Sequence, residues 1–431
     1  MSISAIPELN TSCTQTLHFL KKHFLEHNHL IENWFDSEWK KSPPPVYGSV
    51  DLRNAGFKLA PIDMNLFPAG FNNLNPDFMT VSAKAASKAI LTLNPHTQRI
   101  LIIPESHTRN LFYWENVKTL QKILEQAGFQ VRLSMLPADE PLPDEITLAS
   151  GEKITNEKIL RENNRLLLAD FLPDLILLNN DLSAGIPDIL QNLEQKIMPP
   201  AKLGWSERLK SEHFQYYAEV ADEFAKILNI DPWFISPLFR YCGQVDFMQQ
   251  DGMECLIFNA ETLFAEIQKK YDEYKISHQP FLIVKADAGT YGMAVMTVRH
   301  PDELKSMNRK QRTRMSMTKG GQQVNRVIIQ EGIYTFETIG AEKAVAEPVV
   351  YLWGDHVVGG FYRVHKDRGV DENLNAPGMR FEPIAFSKTC SEPCAQSSPE
   401  ASQNLLYLYG VIAQLSMLAA AREIKNEEQP K

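Results

Sequence analysis

From residue 14 to residue 41, apolar and aromatic side chains return at helical spacing: Leu17, Leu20, Phe24, Ile31, Trp34 and Phe35. The spacing predicts one amphipathic helix, ended by Pro43 to Pro45, which lack a backbone donor and clash with the preceding turn. His18, His23, His27 and His29 lie on this helix with no Cys or acidic ligand at a recognisable spacing, so a solvated face is expected rather than a metal cluster. Residues 47 to 75 break the periodicity. They mix Gly, Pro and Asn with the single charges Asp51, Arg53, Lys58 and Asp63, and predict a long loop rather than a regular sheet. Loops of that length in compact domains are often functional.

Strands and helices then alternate. Strands are expected at 99–105, 129–136 and 171–181, and helices at 111–127, 185–193 and 211–228, with 149–164 as a polar surface excursion. The alternation argues for a mostly parallel sheet covered on both faces. From residue 245 the chain turns β-rich. A helix at 261–274 leads to strands at 280–287, 293–298 and 326–333, and 347–353 with 356–365 reads as a hairpin around Gly354-Asp355. Leu405–Ala421 has 17 residues without a charge. That is short of the roughly 20 that a membrane span needs, and Gly410, Gln414 and Ser416 interrupt it, so a buried helix is expected. The division that follows is 1–69 for the first helix and the irregular segment, 70–240 for an α/β domain, and 241–431 for the β-rich part and last helix.

Composition narrows the function classes. The chain has 431 residues, 44% hydrophobic and 23% charged, which is globular rather than disordered. The net charge of −9 argues against general nucleic-acid binding. Five cysteines do not make a disulfide scaffold, and MSISAIPELNTSC shows no signal-peptide pattern, so a cytoplasmic protein without membrane or nucleic-acid partners is expected. Cys390 and Cys394 form a CxxxC without a second ligand pair, which favours simple thiols.

The sharpest local signal is FLIVKADAGTYGMAVMTV. An apolar strand ends in Lys285, and the following loop carries Gly289, Thr290 and Gly292. Glycines let backbone N–H groups approach an anion, and the lysine can reach the same phosphates, although neither a Walker A nor a GxGxxG pattern is present. Residues 299–326 hold eight Lys or Arg against two acids. Three readings stay open for them: a mobile basic loop closing on polyphosphate, a nucleic-acid patch, and a solvated face. Gln330 and Glu331 follow an apolar strand, Glu347 begins another, and Arg363 lies near the end of a third. Glu372, Asn373 and Asn375 sit in a turn-rich loop. Carboxylates and amides near a phosphate-gripping arginine suit Mg²⁺, which takes hard oxygen ligands together with substrate phosphates. The order of these features after Lys285 matches what phosphoryl transfer requires.

Three stretches carry a resemblance: PPPVYGSVDLRNAGFKLAPIDMNLFPAGFNNL, IVKADAGTYGM and NLNAPG. Together they closely resemble the proteobacterial GshA-type glutamate–cysteine ligase family, over about residues 20 to 425. The resemblance implies an α/β and α+β protein, an ATP-grasp-like fold preceded by a mostly parallel α/β domain. It implies an enzyme that uses ATP and Mg²⁺ to join L-glutamate to L-cysteine through an acyl phosphate, the first step of glutathione synthesis. The alternative is a ligase of the same architecture with a different amino-acid substrate, and a homo-oligomer is compatible with either. On this reading Arg53, Lys285 and Arg363 are catalytic. Lys285, Gly289, Thr290, Gly292, Gln330, Glu331 and Arg363 hold the nucleotide. Arg53 and Lys58 receive substrate carboxylates, Asp51 and Asp63 hold an amino-acid ammonium, and Asn65 completes the amino-acid site. Glu347, Glu372, Asn373 and Asn375 are the expected metal ligands.

Overall fold

The computed structural model describes residues 9–11, 14–105, 110–137, 143–289, 294–317, 323–384 and 402–427. Thr290, Gly292, Cys390 and Cys394 lie outside them. The architecture is mixed α/β, as expected, and three sheets of four or more strands carry it.

The parallel sheet runs in the order Lys196–Met198, Leu175–Asn179, Arg99–Pro104, Gln130–Leu133. Its central strands are apolar between their end residues Arg99 and Asn179, as a sheet buried on both faces requires. The expected helix at 185–193 is one 3₁₀ turn, Asp188–Leu190. Gly185 at φ +103° and Pro187 leave too few residues for a helical nucleus. The 149–164 excursion belongs to two small hairpins, Glu145–Thr147 with Lys153–Thr155 and Leu160–Glu162 with Arg165–Leu167.

The second sheet is antiparallel, ordered Phe239–Cys242, Val327–Glu331, Leu282–Ala286, Val295–Val298. The third has seven strands built on the hairpin Ala344–Trp353 and His356–His365, which turns at Gly354-Asp355 as read from the sequence. Gly354 takes φ +55°, the left-handed turn that glycine accepts without strain.

Two expectations change here. The segment taken as a long loop is a β-hairpin, Tyr47–Asn54 and Leu59–Asn65, paired onto Ala344–Trp353 in the seven-stranded sheet. The single helix over 14–41 is two, Gln15–Glu26 and Asn28–Lys41, broken at His27. The His27 imidazole Nδ1 lies 2.9 Å from the carbonyl of His23, so a side chain enters the helical ladder at the break. His23 reaches the carbonyl of Leu228 at 2.7 Å, at the end of the helix Lys210–Leu228, while His18 and His29 are exposed as expected.

The apolar C-terminal stretch is the helix Ser402–Glu427, buried from Leu406 to Ala421 except at Gln414. It packs against the helix Lys210–Leu228 and the back of the 47–65 hairpin. Among the described residues, no helix is long and apolar enough to cross a membrane.

Candidate active site

The hairpin shows how the site is built. Along Tyr47–Asn54 the residues alternate: Val50 and Leu52 enter the hydrophobic core, while Ser49, Asp51 and Arg53 line a cavity. The register slips between Asp51 and Leu52, because Asp51 pairs with Asp63 and Leu52 with Pro61, leaving Ile62 unpaired. Pro61 has no N–H for the ladder, so a bulge is the natural resolution. The bulge has two consequences. The free carbonyl of Ile62 accepts a hydrogen bond from Lys285 Nζ at 2.7 Å. Two carboxylates, Asp51 and Asp63, stand directly opposite each other, an arrangement that destabilises a sheet unless cations neutralise it.

The cations come from three separate parts of the chain. Arg363 NH1 donates to Asp51 Oδ2 at 2.9 Å and to Glu347 Oε1 at 2.6 Å. Lys210 Nζ lies 3.1 Å from Asp63 Oδ1. Lys285 stands beside them, 9% exposed. Asp287, at the end of the lysine strand, accepts hydrogen bonds from the backbone N–H and the hydroxyl of Ser211. That bonding anchors the first turn of the Lys210 helix to the lysine strand.

Titration follows from burial and these partners. Burial lowers the Lys285 ammonium to about 8, with Asp63 opposing the shift and Lys210 adding to it. Burial raises the Asp51 carboxyl, and Arg363 only partly offsets it. At Asp63 burial also pushes upward, but Lys210 and Lys285 outweigh it and hold the carboxyl below its ordinary range. Burial works against the Arg363 guanidinium, yet Asp51 and Glu347 keep it firmly charged. Its Nε is buried without a hydrogen-bond partner among the described residues.

Of the residues singled out from the sequence, Asp51, Arg53, Asp63, Asn65, Lys285, Gln330, Glu331, Glu347, Arg363, Asn373 and Asn375 line one cavity of about 280 Å³. Arg53 is already engaged there. Its Nε donates to Glu347 at 2.9 Å, and its other nitrogens donate to the carbonyls of Ile333 and Glu372. It therefore acts on the cavity through Glu347.

Lys58 is a correction. It is 1% exposed, its Nζ lies 2.6 Å from Glu331 Oε2 and 4.3 Å from the Trp233 ring centroid, and it does not line the cavity. Glu331 is closed in the same way, accepting also from the Trp233 indole and the backbone of Leu238. Gly289, at φ +75°, borders a smaller neighbouring recess of about 30 Å³.

The four expected metal ligands do not assemble. Both oxygens of Glu347 are held by guanidinium groups. The Glu372 carboxylate turns to the backbone of Gly369 and to Arg368. The Asn373 carbonyl oxygen accepts from the backbone of Asn375 within its own turn. Among the described residues, no group of three or more His, Cys, Asp or Glu side chains is placed to hold a metal ion.

Within 299–326 the described residues include the helices Asp302–Lys305 and Arg309–Ser316, the second opened by a capping box of Asn308 and Gln311. Arg299, Lys305 and Arg326 are paired with Asp371, Glu261 and Asp287, and none of the segment's described cations lines the cavity. Sequence reasoning missed Lys210, Glu105 and Asp181, which do line it. The signal for the last two was available: both follow parallel strands at their carboxyl ends, where open α/β sheets bind ligands.

The family model described as GshA, glutamate-cysteine ligase, matches residues 21–424. A crystal structure from Methylobacillus flagellatus KT, provisionally described as a gamma-glutamylcysteine synthetase, superposes with a TM-score of 0.90 at 50% identity, covering 98% of this chain and 99% of that one. A glutathione synthetase-like effector from Globodera pallida aligns with a TM-score of 0.37 at 11% identity over 88% of this chain and 84% of that one. A comparison with curated proteins gave no match.

Proposed function

Because the chain belongs to the GshA glutamate–cysteine ligase family, an ATP-dependent group of ligases, we propose that its cavity joins the γ-carboxylate of L-glutamate to the amine of L-cysteine through an acyl phosphate. One glutamate oxygen attacks the γ-phosphorus of ATP and ADP leaves. The cysteine amine then attacks the acyl carbon, phosphate departs, and the amine gives up a proton as the amide forms.

The observation that carries this reading is the convergence of Lys210, Lys285 and Arg363 on one cavity from distant parts of the chain. Three cations on one cavity wall stabilise the negative charge that spreads over a transferring phosphoryl group, and they do so without reorganising. The buried Nε of Arg363, without a partner among the described residues, leaves that side chain with donor capacity to spare, as does the Gln330 amide nitrogen on the same wall. The aromatic wall of Phe67, Tyr351, Phe361 and Phe381 limits water at an acyl phosphate that would otherwise hydrolyse.

Magnesium fits this cavity differently from the sequence expectation. Mg²⁺ is usually held by one or two carboxylates plus substrate phosphates. Asp51 and Asp63, opposed across the hairpin and both facing the cavity, are the residues that would hold it. The ion would supply further neutralisation of phosphate charge. A cytoplasmic setting is the one we propose, supported by the acidic composition and the sparse cysteines.

The test is release of ADP and phosphate from ATP, with the product identified by mass. Turnover that requires glutamate and cysteine together, giving γ-glutamylcysteine, is expected. Turnover with another amino-acid pair, or ATP cleavage indifferent to both, would overturn the assignment.

A further inference from the structure

The cavity has an acidic corner. Asp181 and Glu105 line it, and both come from the parallel sheet rather than from the sheets that carry Lys285 and Arg363. The strands Arg99–Pro104 and Leu175–Asn179 are parallel neighbours, with Pro104 opposite Asn179. Glu105 and Asp181 therefore leave adjacent strands at their carboxyl ends, the edge of an open α/β sheet at which ligands bind.

The loop that presents Asp181 is fixed by its own side chains. Asn180 accepts from the backbone N–H of Leu182 and donates to the carbonyl of Pro104, joining the two strand ends. Asp181 Oδ1 accepts from the backbone of Ser183 at 2.9 Å, and the Asp181 carbonyl accepts from the backbone of Trp205. Leu182 is held at φ +54°, a conformation uncommon for a leucine. With every other acceptor of the residue engaged, Asp181 Oδ2 remains buried and unpartnered on a side chain only 4% exposed. A buried carboxylate oxygen without a donor is costly, and its position on the cavity wall calls for a ligand that brings one.

We propose that Asp181, with Glu105 beside it, binds the α-ammonium group of the glutamate substrate. This rests on the ligase reading above and adds to it a subsite contributed by the parallel α/β domain. The chemistry selects between the two amino acids. A carboxylate facing an amine favours the protonated form, which has no lone pair and cannot attack an acyl phosphate. The cysteine amine has to react as the free base, whereas the glutamate amine has to stay inert. An anionic corner suits the second, and it keeps glutamate from serving as the nucleophile. The γ-carboxylate of the same molecule is then left to the cations of the same cavity, Lys285 and Arg363.

The experiment compares glutamate with glutarate, which keeps both carboxylates and lacks the amine. In the wild-type protein, glutamate should be preferred by about 10- to 100-fold in kcat/KM, the range for one hydrogen bond to a charged group. Asp181→Asn, which preserves size and the bond to Ser183, should raise the glutamate KM by a similar factor and abolish the preference. The KM values for cysteine and ATP and the melting temperature should stay as in the wild type. A wild-type protein that takes glutarate as readily as glutamate overturns the subsite, even if the variant fails to fold. A folded Asp181→Asn that keeps the preference, or whose loss falls on cysteine alone, overturns it too. Failure of the wild type to turn over glutamate and cysteine at all would instead sink the ligase reading, and the subsite with it.

Discussion

Two buried ion cages hang from the same hairpin and both reach the cavity wall, one through Asp51, Arg53, Glu347 and Arg363 and the other through Glu331 alone. In the first, Asp51, Arg363, Glu347 and Arg53 form a chain of charge-assisted bonds, with Arg363 14% exposed and its Nε unpartnered. In the second, Lys58 is sandwiched between Glu331 and the Trp233 ring, each Glu331 oxygen has a donor, and Lys58 and Glu331 are both 1% exposed. From sequence the two cations look alike, being single charges in an irregular, polar stretch. What separates them is whether hydrogen-bonding capacity is left over. A saturated cage holds the fold together, and one with an orphaned donor is built to receive something.

The largest effect should come from breaking the closed cage. Lys58→Ala leaves Glu331 buried and unpaired, so unfolding free energy should fall by about 3–5 kcal/mol in denaturant melts. Substrate requirements of the folded fraction should stay near wild type. A stable variant with a raised glutamate KM would instead restore Lys58 to the site.

Next, Arg363→Lys should lower kcat/KM by roughly 100-fold, because a single ammonium cannot span Asp51 and Glu347 while also reaching phosphate. Steady-state kinetics beside a circular dichroism melt would show it. Wild-type turnover in a folded Arg363→Lys protein would remove the open cage from catalysis.

Lys285 sharpens the comparison through pH. Burial sets its ammonium near 8, and only the charged form attracts phosphate. Affinity for ATP, measured by calorimetry, should therefore fall by about tenfold per pH unit above 8, and Lys285→Arg should flatten that fall. Stability should move the opposite way. In the unfolded chain Lys285 binds a proton up to its ordinary 10.5, and the folded chain releases it near 8, so its contribution to stability rises between those values. An ATP affinity that does not change between pH 7 and pH 9.5 would contradict the assignment.

The last effect, confined to stability, concerns the final residue of the hairpin's first strand, away from both cages. Asn54 donates to Glu337, which Tyr409 also bonds, and burial raises the Glu337 carboxyl to about 7 against those two partners. The folded protein thus holds a proton between the ordinary 4.5 and about 7 that the unfolded chain has lost, and stability declines as pH rises through that window. Glu337→Gln should remove the decline, gaining about 2–3 kcal/mol at pH 8 relative to pH 5, with no change in kinetics. Equal pH dependence of the two melting curves would refute this.

The sequence by itself determined a good deal. It placed the parallel α/β region, the hairpin at Gly354-Asp355, the buried C-terminal helix and the lysine strand, because each rests on local periodicity or turn chemistry. Motif resemblance supplied the family, which the match over residues 21–424 bears out. The 47–65 hairpin was only half legible. Ser49, Val50, Asp51, Leu52 and Arg53 alternate as a strand should, but Gly56 and Pro61 obscure the pattern, and the bulge at Ile62 depends on pairing that no local rule reveals. Tertiary structure alone decided which charges meet. It brought Lys210 to Asp63 through the Asp287 anchor, buried Lys58 against Glu331, turned Arg53 into a brace for Glu347 and left one carboxylate oxygen of Asp181 without a donor among the described residues. The physical reason is that helical and strand periodicity are short-range properties of the chain. The state of a charged group depends on partners tens to hundreds of residues away and on whether water is excluded around them.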